Sequence, residues 1–379
     1  MNGISVTKVP DTDDGSAARD AGSANEVRDM LRNMAHRFLT LHCTRDLHVR
    51  AEGGEWPEAL WRTAMDAGLH LAAVPEELGG AGTMLSDAAV IMRAVGWHAV
   101  PLPLVETVLG NWLLAQARVP PAGGPLAIAP VSHGQMLTLS HDSSGWTMTG
   151  NVEHIPWARH ATDVVCVAEA ESGRQFVVKA SVESSVVHAS TNVAGEPRDR
   201  LAFDQVPVGD AMHELPGDRD HAALFLQLGA LARCQQMAGA MEWILERCCA
   251  FAGERVQFGK PIGGFQAPQH MLAVMATQVS AAVVAADAAM SAFANGEADA
   301  AAAAGYAKAR VGEAAGEVTA LAHQLHGAMG YSHEYPLHWR TRRLWAWRDE
   351  FGSERFWNQR AGAIVARRGA VQFWNDLAT

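Results

Sequence analysis

The sequence is short of the features that mark several large classes of protein. Tyrosine occurs three times in 379 residues, and the five cysteines (Cys43, Cys166, Cys234, Cys248, Cys249) contain no CxxC pair. An odd count with one adjacent pair gives no disulfide framework, so a reduced, cytoplasmic setting is expected. Basic residues are outnumbered, 30 Lys and Arg against 41 Asp and Glu, for a formal charge of −11. That balance excludes sequence-independent binding of nucleic acid, which depends on cationic contacts to phosphate. No run of about 18 apolar residues escapes charge, Pro or Gly, so no membrane-spanning helix and no membrane partner are expected. Residues 1–23, MNGISVTKVPDTDDGSAARDAGS, lack both an apolar signal core and an Arg-rich amphipathic pattern, and read as a flexible polar arm. GxxxxGK[ST], HExxH and GxSxG are all missing, which removes support for P-loop, zinc-hydrolase and serine-hydrolase chemistry and leaves no metal ligand set expected.

What is present is a large apolar fraction, 49%, with 19% charged residues and twelve tryptophans. That is enough for a full core and for two or three lobes. Three textures follow one another. Residues 24–119 repeat apolar side chains at three- and four-residue spacing, as in NEVRDMLRNMAHRFLTLH and WPEALWRTAMDAG, where Pro57 suits a helix start and Gly68 its end. Residues 120–216 hold short β-favouring runs around the turn signals DSSG and ESGR, with LAFDQVPVG as a further strand. Residues 217–379 return to long, Ala-rich helical stretches whose small side chains allow close helix packing. The predicted fold is multidomain α+β: an N-terminal helical domain, a small antiparallel β domain and a C-terminal four-helix-bundle domain. Strands do not alternate with helices, so a doubly wound sheet is disfavoured.

Three segments carry candidate chemistry. Glu254–Gln266, ERVQFGKPIGGFQ, joins two helices through a loop holding Arg, Gln, Lys and Phe, able to present a guanidinium fork to a phosphate and an aromatic face to a ring. It is equally readable as an ordinary interhelical turn. His323–Tyr331, HQLHGAMGY, ends a helix in glycines that would let backbone amides approach a ligand, or would simply cap the helix. Thr341–Glu354, TRRLWAWRDEFGSE, crowds acids, bases and aromatics. A carboxylate there would be a desolvated general base, or one member of a solvated, ion-paired helix face.

Taken together, RVQFGKPIGGFQAPQHMLAVMA, the later HQLHGAMGYSHEYPLHWRTRR and the N-terminal VPEELGGAGTMLSDAAVIMRAVG resemble the acyl-CoA dehydrogenase family. The order and spacing of the two C-terminal motifs match, and so does the α–β–α order. The resemblance implies FAD, a homotetramer or dimer, and oxidation of an acyl-CoA thioester to the 2-enoyl-CoA. A Glu would remove the α-proton while the flavin takes a hydride from the β-carbon, and an electron-transfer flavoprotein would accept the electrons. Carried over by position, Arg255, Gln257 and Phe258 resemble residues that contact the FAD of a neighbouring subunit. Gln324, Gly327 and Gly330 resemble the segment along its adenosine pyrophosphate, and Ser353 stands where relatives place a Thr near the flavin.

Two departures shape the functional expectation. Where many relatives carry a Tyr-Glu-Gly turn whose Glu is the base, this chain has Glu350-Phe351-Gly352, so the Glu position is Phe351. The alternative base position of the family, on the preceding long helix, falls near Gly229. Glu350 is the first candidate base and Asp349 the second. In the middle domain the family's Thr-Glu-Pro…Ala-Gly-Ser-Asp loop corresponds to Leu126–His133, without the second half, and the family's Trp-x-Thr strand aligns with His154-Ile155-Pro156, leaving Trp157 as the candidate flavin-side tryptophan. The leading expectation is therefore an FAD-dependent acyl-CoA dehydrogenase with a displaced base. The alternatives are a base-less subunit of a hetero-oligomeric acyl-CoA dehydrogenase and a flavin-free acyl-CoA-binding protein.

Overall fold

The structure is a computed structural model that describes residues 14–129, 137–217, 219–369 and 371. Five helices come first: α1 (Asp14–His42), α2 (Arg45–Glu52), α3 (Glu58–Asp66), α4 (Leu85–His98) and α5 (Leu104–Gln116). Helix α1 begins ten residues before the expected end of the polar arm. Residues 1–13 lie outside the described residues. As the sequence suggests, α3 starts just after Pro57, and the chain leaves it through Gly68 in the left-handed region (φ 70°).

The middle region holds β1 (Leu126–Ile128), β2 (Leu137–Asp142), β3 (Gly145–Pro156), β4 (Asp163–Ala170), β5 (Gln175–Ser181), β6 (Val186–His188), β7 (Arg198–Pro207) and β8 (Met212–Glu214). They form one sheet in the order β6-β7-β3-β2-β4-β5-β8, with β1 also on β4. Pairing is antiparallel except that β1 and β2 run parallel to β4. Both turn signals close hairpins. DSSG links β2 to β3, with Asp142 Oδ1 accepting the Ser144 N–H at 2.7 Å, and ESGR links β4 to β5. The unbroken apolar run of β4 has a structural cause: Val165 and Val167 face the helices, while Val164, Cys166 and Ala168 face a second core inside the sheet. Both faces are buried, so no polar alternation is needed.

The last region contains α6 (His221–Glu254), the two-stranded hairpin β9 (Val256–Gln257) and β10 (Lys260–Pro261), α7 (Gln266–Asn295), α8 (Ala300–His326), α9 (Leu337–Asp349) and α10 (Glu354–Arg368). Helix α7 corrects the expectation drawn from apolar runs. Its one acid, Asp287, and its many alanines make it long and apolar enough, by length and composition, to cross a membrane. Its buried residues Met275, Val279, Ala282, Ala286 and Ala289 instead recur along one stripe that packs in the bundle with α6 and α8. Close packing between the N- and C-terminal helices rests on glycines. A Cβ at Gly96 of α4 would overlap the Gln236 backbone of α6, and one at Gly239 of α6 would overlap the Arg93 backbone of α4.

Helix α2 brings His48 against Trp339 of α9, rings stacked 4.5 Å apart. Burial, with Arg343 and Arg340 nearby, lowers the His48 pKa to about 2, and burial beside His36 and Arg340 lowers that of His98 to about 3. In the unfolded chain both protonate near pH 6.5. The unfolded state therefore binds more protons below that pH, and stability present above about pH 6.5 is lost as pH falls. Thermal unfolding followed from pH 7.5 to 5 should show that decline, and His48→Phe should flatten it. A variant that keeps the wild-type slope would show that His48 does not drive it.

Candidate functional site

Six charged side chains from all three regions meet in the interior. Arg233 of α6 donates from Nη2 to Glu106 Oε1 of α5 (2.6 Å) and from Nε to Glu350 Oε2 (2.8 Å), and its Nη1 reaches Gln236. Arg198, the first residue of β7, donates from Nε to Glu350 Oε1 (2.6 Å) and from Nη2 to Glu196 Oε2 (3.0 Å). Arg343 of α9 donates to Glu196 Oε1 (2.9 Å), and the Trp347 indole N–H to Glu196 Oε2 (3.2 Å). Glu106, Glu196, Arg198, Arg233 and Arg343 are buried, and the side chain of Glu350 is 12% exposed. Burial alone would raise the Glu196 and Glu350 pKa values. The guanidinium groups win: Glu196 falls to about 2 under Arg343 and Arg198, and Glu350 is held below the usual carboxylate range by Arg198 and Arg233.

The candidate base Glu350 therefore has both oxygens committed to charge-assisted hydrogen bonds. An α-proton of a thioester is a weak acid, and a base for it works best with a pKa near the working pH. The position that matches the family's own base is Phe351, with φ 54°. Its ring lies on the face of α6 at Gly229, where an added Cβ would overlap it, and the Arg233 guanidinium sits 5.6 Å from its centre. Phe351 and Gly229 thus form one contact, an aromatic ring seated on the bare backbone that makes room for it. The turn is pinned as well. Trp357 Nε1 donates to Phe351 O (3.0 Å), and buried Lys308 donates to Arg348 O (2.6 Å) and Gly352 O (2.9 Å). Burial lowers the Lys308 pKa to about 8.

The other candidate residues divide into separate groups. Asp349, Glu350, Phe351 and Gly352 line a cavity of about 460 Å³ with Trp345, His154 and Pro156. Trp157, buried and also at positive φ, opens into an adjoining cavity of about 320 Å³ with Trp56, His160 and Trp339. Ser353 caps α10, its hydroxyl accepting the Phe356 N–H at 3.4 Å. Pro130–His133, the end of the loop matched to the missing family motif, lie outside the described residues.

Arg255, Gln257 and Phe258 stand on the exposed β9–β10 hairpin, away from both cavities. Phe258 is 93% exposed with φ 51°, a backbone state that costs a non-glycine residue of order 1 kcal/mol. Gln324 and Gly327 are exposed and Gly330 is buried at the end of α8. Phe251 near the end of α6 stacks on His326 near the end of α8 (4.3 Å), which puts hairpin and glycine turn at the same end of the bundle. A guanidinium, two amides, a projecting aromatic ring and glycine-turn amides suit the pyrophosphate and ring of FAD. Facing outward, they fit one contacted from another subunit.

Sequence reading missed Arg233, Arg198, Glu106 and Glu196. Arg233 had a visible signal: it is the only charge between His221 and Met241 of α6, an otherwise apolar stretch. Glu196 and Arg198 had none, since EPRD reads as a loop. It also missed a grouping of Glu52, His333 and His338, ligand-type residues more than 280 positions apart in the case of Glu52.

Residues 25–117 match the model of the acyl-CoA dehydrogenase N-terminal domain and residues 220–354 that of the acyl-CoA dehydrogenase C-terminal domain. The chain is 30% identical over 320 residues to acyl-CoA dehydrogenase IpdE2 of Mycobacterium tuberculosis, covering 83% of this chain and 89% of that protein. Its fold resembles the ChsE4-ChsE5 complex from Mycobacterium tuberculosis (TM-score 0.82, 24% identity, 91% of this chain and 98% of that one). It also resembles the Tcur3481-Tcur3483 steroid ACAD (TM-score 0.80, 26% identity, 91% and 99%).

Two measurements check this geometry. Gly229→Ala should destabilise the protein by about 1–3 kcal/mol through overpacking, and Phe351→Ala in the same chain should recover part of the loss. Additive losses in urea unfolding would refute the contact. Arg233→Met, which strands Glu106 and leaves Glu350 with Arg198 alone, should cost about 3–5 kcal/mol in the same assay.

Proposed function

The chain belongs to the acyl-CoA dehydrogenase family, and from that premise we propose that it works as the base-less subunit of a two-chain acyl-CoA dehydrogenase. The observation that carries this reading is the Phe351 ring seated on Gly229 beside a Glu350 clamped by two arginines. Glu350 in this reading is an anchor of the turn and not the base. Asp349 is exposed at the cavity rim.

What the chain offers instead is at the hairpin end of the bundle, where all of the following residues except Gly330 are exposed. Arg255, Gln257, Phe258, Gln324, Gly327 and Gly330 would hold the diphosphate and adenosine part of FAD belonging to the partner chain. FAD, when bound, supplies the acceptor for the electrons leaving the acyl chain. The base and the thioester-polarising contacts would come from the partner. The oxidation of acyl-CoA to 2-enoyl-CoA is then a property of the pair, with an electron-transfer flavoprotein as the acceptor. The relatives named for two components, ChsE4-ChsE5 and Tcur3481-Tcur3483, support a paired assembly.

The test is expression of this chain alone and together with a second acyl-CoA dehydrogenase chain. Alone it should show no flavin absorbance and no turnover. Co-purified, the pair should be yellow and should bleach with an acyl-CoA. Arg255→Ala in this chain should lower FAD content of the pair severalfold while the pair still assembles. A chain that binds FAD stoichiometrically and is bleached by an acyl-CoA on its own would overturn the proposal.

A further inference from the structure

Glu52, His333 and His338 gather where α2 meets α9, and none of them lines the cavity that holds Glu350. Glu52 ends α2, His333 lies in the turn before α9, and His338 is in the first turn of α9. Glu52 Oε2 is 3.5 Å from His333 Nε2 and 3.6 Å from His338 Nε2, and all three donor atoms lie within 4.8 Å of one another. Ligands about 2.0–2.2 Å from one tetrahedral ion stand roughly 3.4 Å apart. The group therefore already has the spacing of ligands around a shared ion. Among the described residues it is the one such grouping of His, Cys, Asp or Glu.

The hydrogen bonds around the group point the same way. His338 Nδ1 is 2.8 Å from the Tyr335 carbonyl, which only accepts, so Nδ1 carries a proton. In the neutral ring Nε2 then keeps its lone pair, and that nitrogen is buried without a hydrogen-bond partner. A backbone carbonyl that fixes the tautomer is the usual outer contact of a metal-binding histidine. Glu52 is oriented too: Oε1 accepts from Arg342 Nη1 (2.8 Å) and Oε2 from Trp339 Nε1 (2.9 Å). A lone pair facing a carboxylate is repulsive unless a cation or a proton lies between them. Two imidazoles and one carboxylate are the donor set of a borderline ion and not of Mg²⁺ or Ca²⁺.

We propose that Glu52, His333 and His338 bind a divalent transition-metal ion, Zn²⁺ by the chemistry of the donors, with one coordination position left open. Bound there, the ion ties α2 to α9 across the domain junction, at the rim of the 320 Å³ cavity that Glu52 and Trp339 help to line. Arg342 on the same carboxylate lowers the affinity without blocking Oε2.

The test uses the tag-free, EDTA-treated full chain, alone or in its complex, titrated with Zn²⁺ and with Co²⁺ as the spectroscopic probe. One equivalent should bind, with visible Co²⁺ absorption of a four- or five-coordinate site and a rise in Tm. His333→Ala, at an exposed position, should fold normally and lose at least tenfold in affinity, and His338→Gln should do the same. No saturable equivalent, or one held as tightly by both variants, overturns the proposal. So does stabilisation of the cluster by acid alone with no response to metal, which would assign the contact to a protonated His338.

Discussion

The arrangement of the three regions depends on the buried charge chain Glu106–Arg233–Glu350–Arg198–Glu196–Arg343. Three cations and three anions alternate, so the chain is neutral as a whole, and four of its five links join different parts of the fold: α5 to α6, α6 to the end of α9, that end to β7, and the segment before β7 back to α9. Desolvating six charges is expensive, and only complete pairing offsets it. The network thus penalises any arrangement that leaves one member alone. It acts as a registry device more than as a source of net stability, since apolar residues of the same volume would pack at no such risk.

The same network sets the chemistry of the cavity it borders. By taking both oxygens of Glu350, Arg198 and Arg233 leave that carboxylate no free oxygen. Arg233 also lies over the rings of Trp347 and Phe351. Phe351 fills the room left by Gly229, and Lys308 and Trp357 hold the backbone on either side of it. This turn is packed shut rather than left open for a moving base. The tryptophans concentrated near the end of the chain have distinct tasks here. Trp339 bonds Glu52, Trp347 bonds Glu196, and Trp357 bonds the Phe351 carbonyl.

Much of the fold was legible because local physics decides it. DSSG and ESGR turn hairpins through Gly145 and Gly173 at positive φ, and the amphipathic and Ala-rich stretches become helices. The start of α1 was missed because the sequence there has no apolar stripe, and α7 was not expected to be long and apolar enough to cross a membrane because the charge of Asp287 interrupts its apolar run. In the site, the absence of a carboxylate at Phe351 and at Gly229 was visible in the sequence. The clamp on Glu350 was not, because its arginines lie 117 and 152 positions away.

The sequence by itself determined the order of helical and β regions and the family, since both are written in local spacing and in motifs. Only the tertiary structure decided what Glu350 is for, that Phe351 and Gly229 are one feature, that Arg255 and Phe258 face outward, and that Glu52 meets two histidines. The physical reason is the same in each case. A residue type states what a side chain is able to do, whereas its charge state and its ligand are set by partners that the folded chain brings from hundreds of residues away.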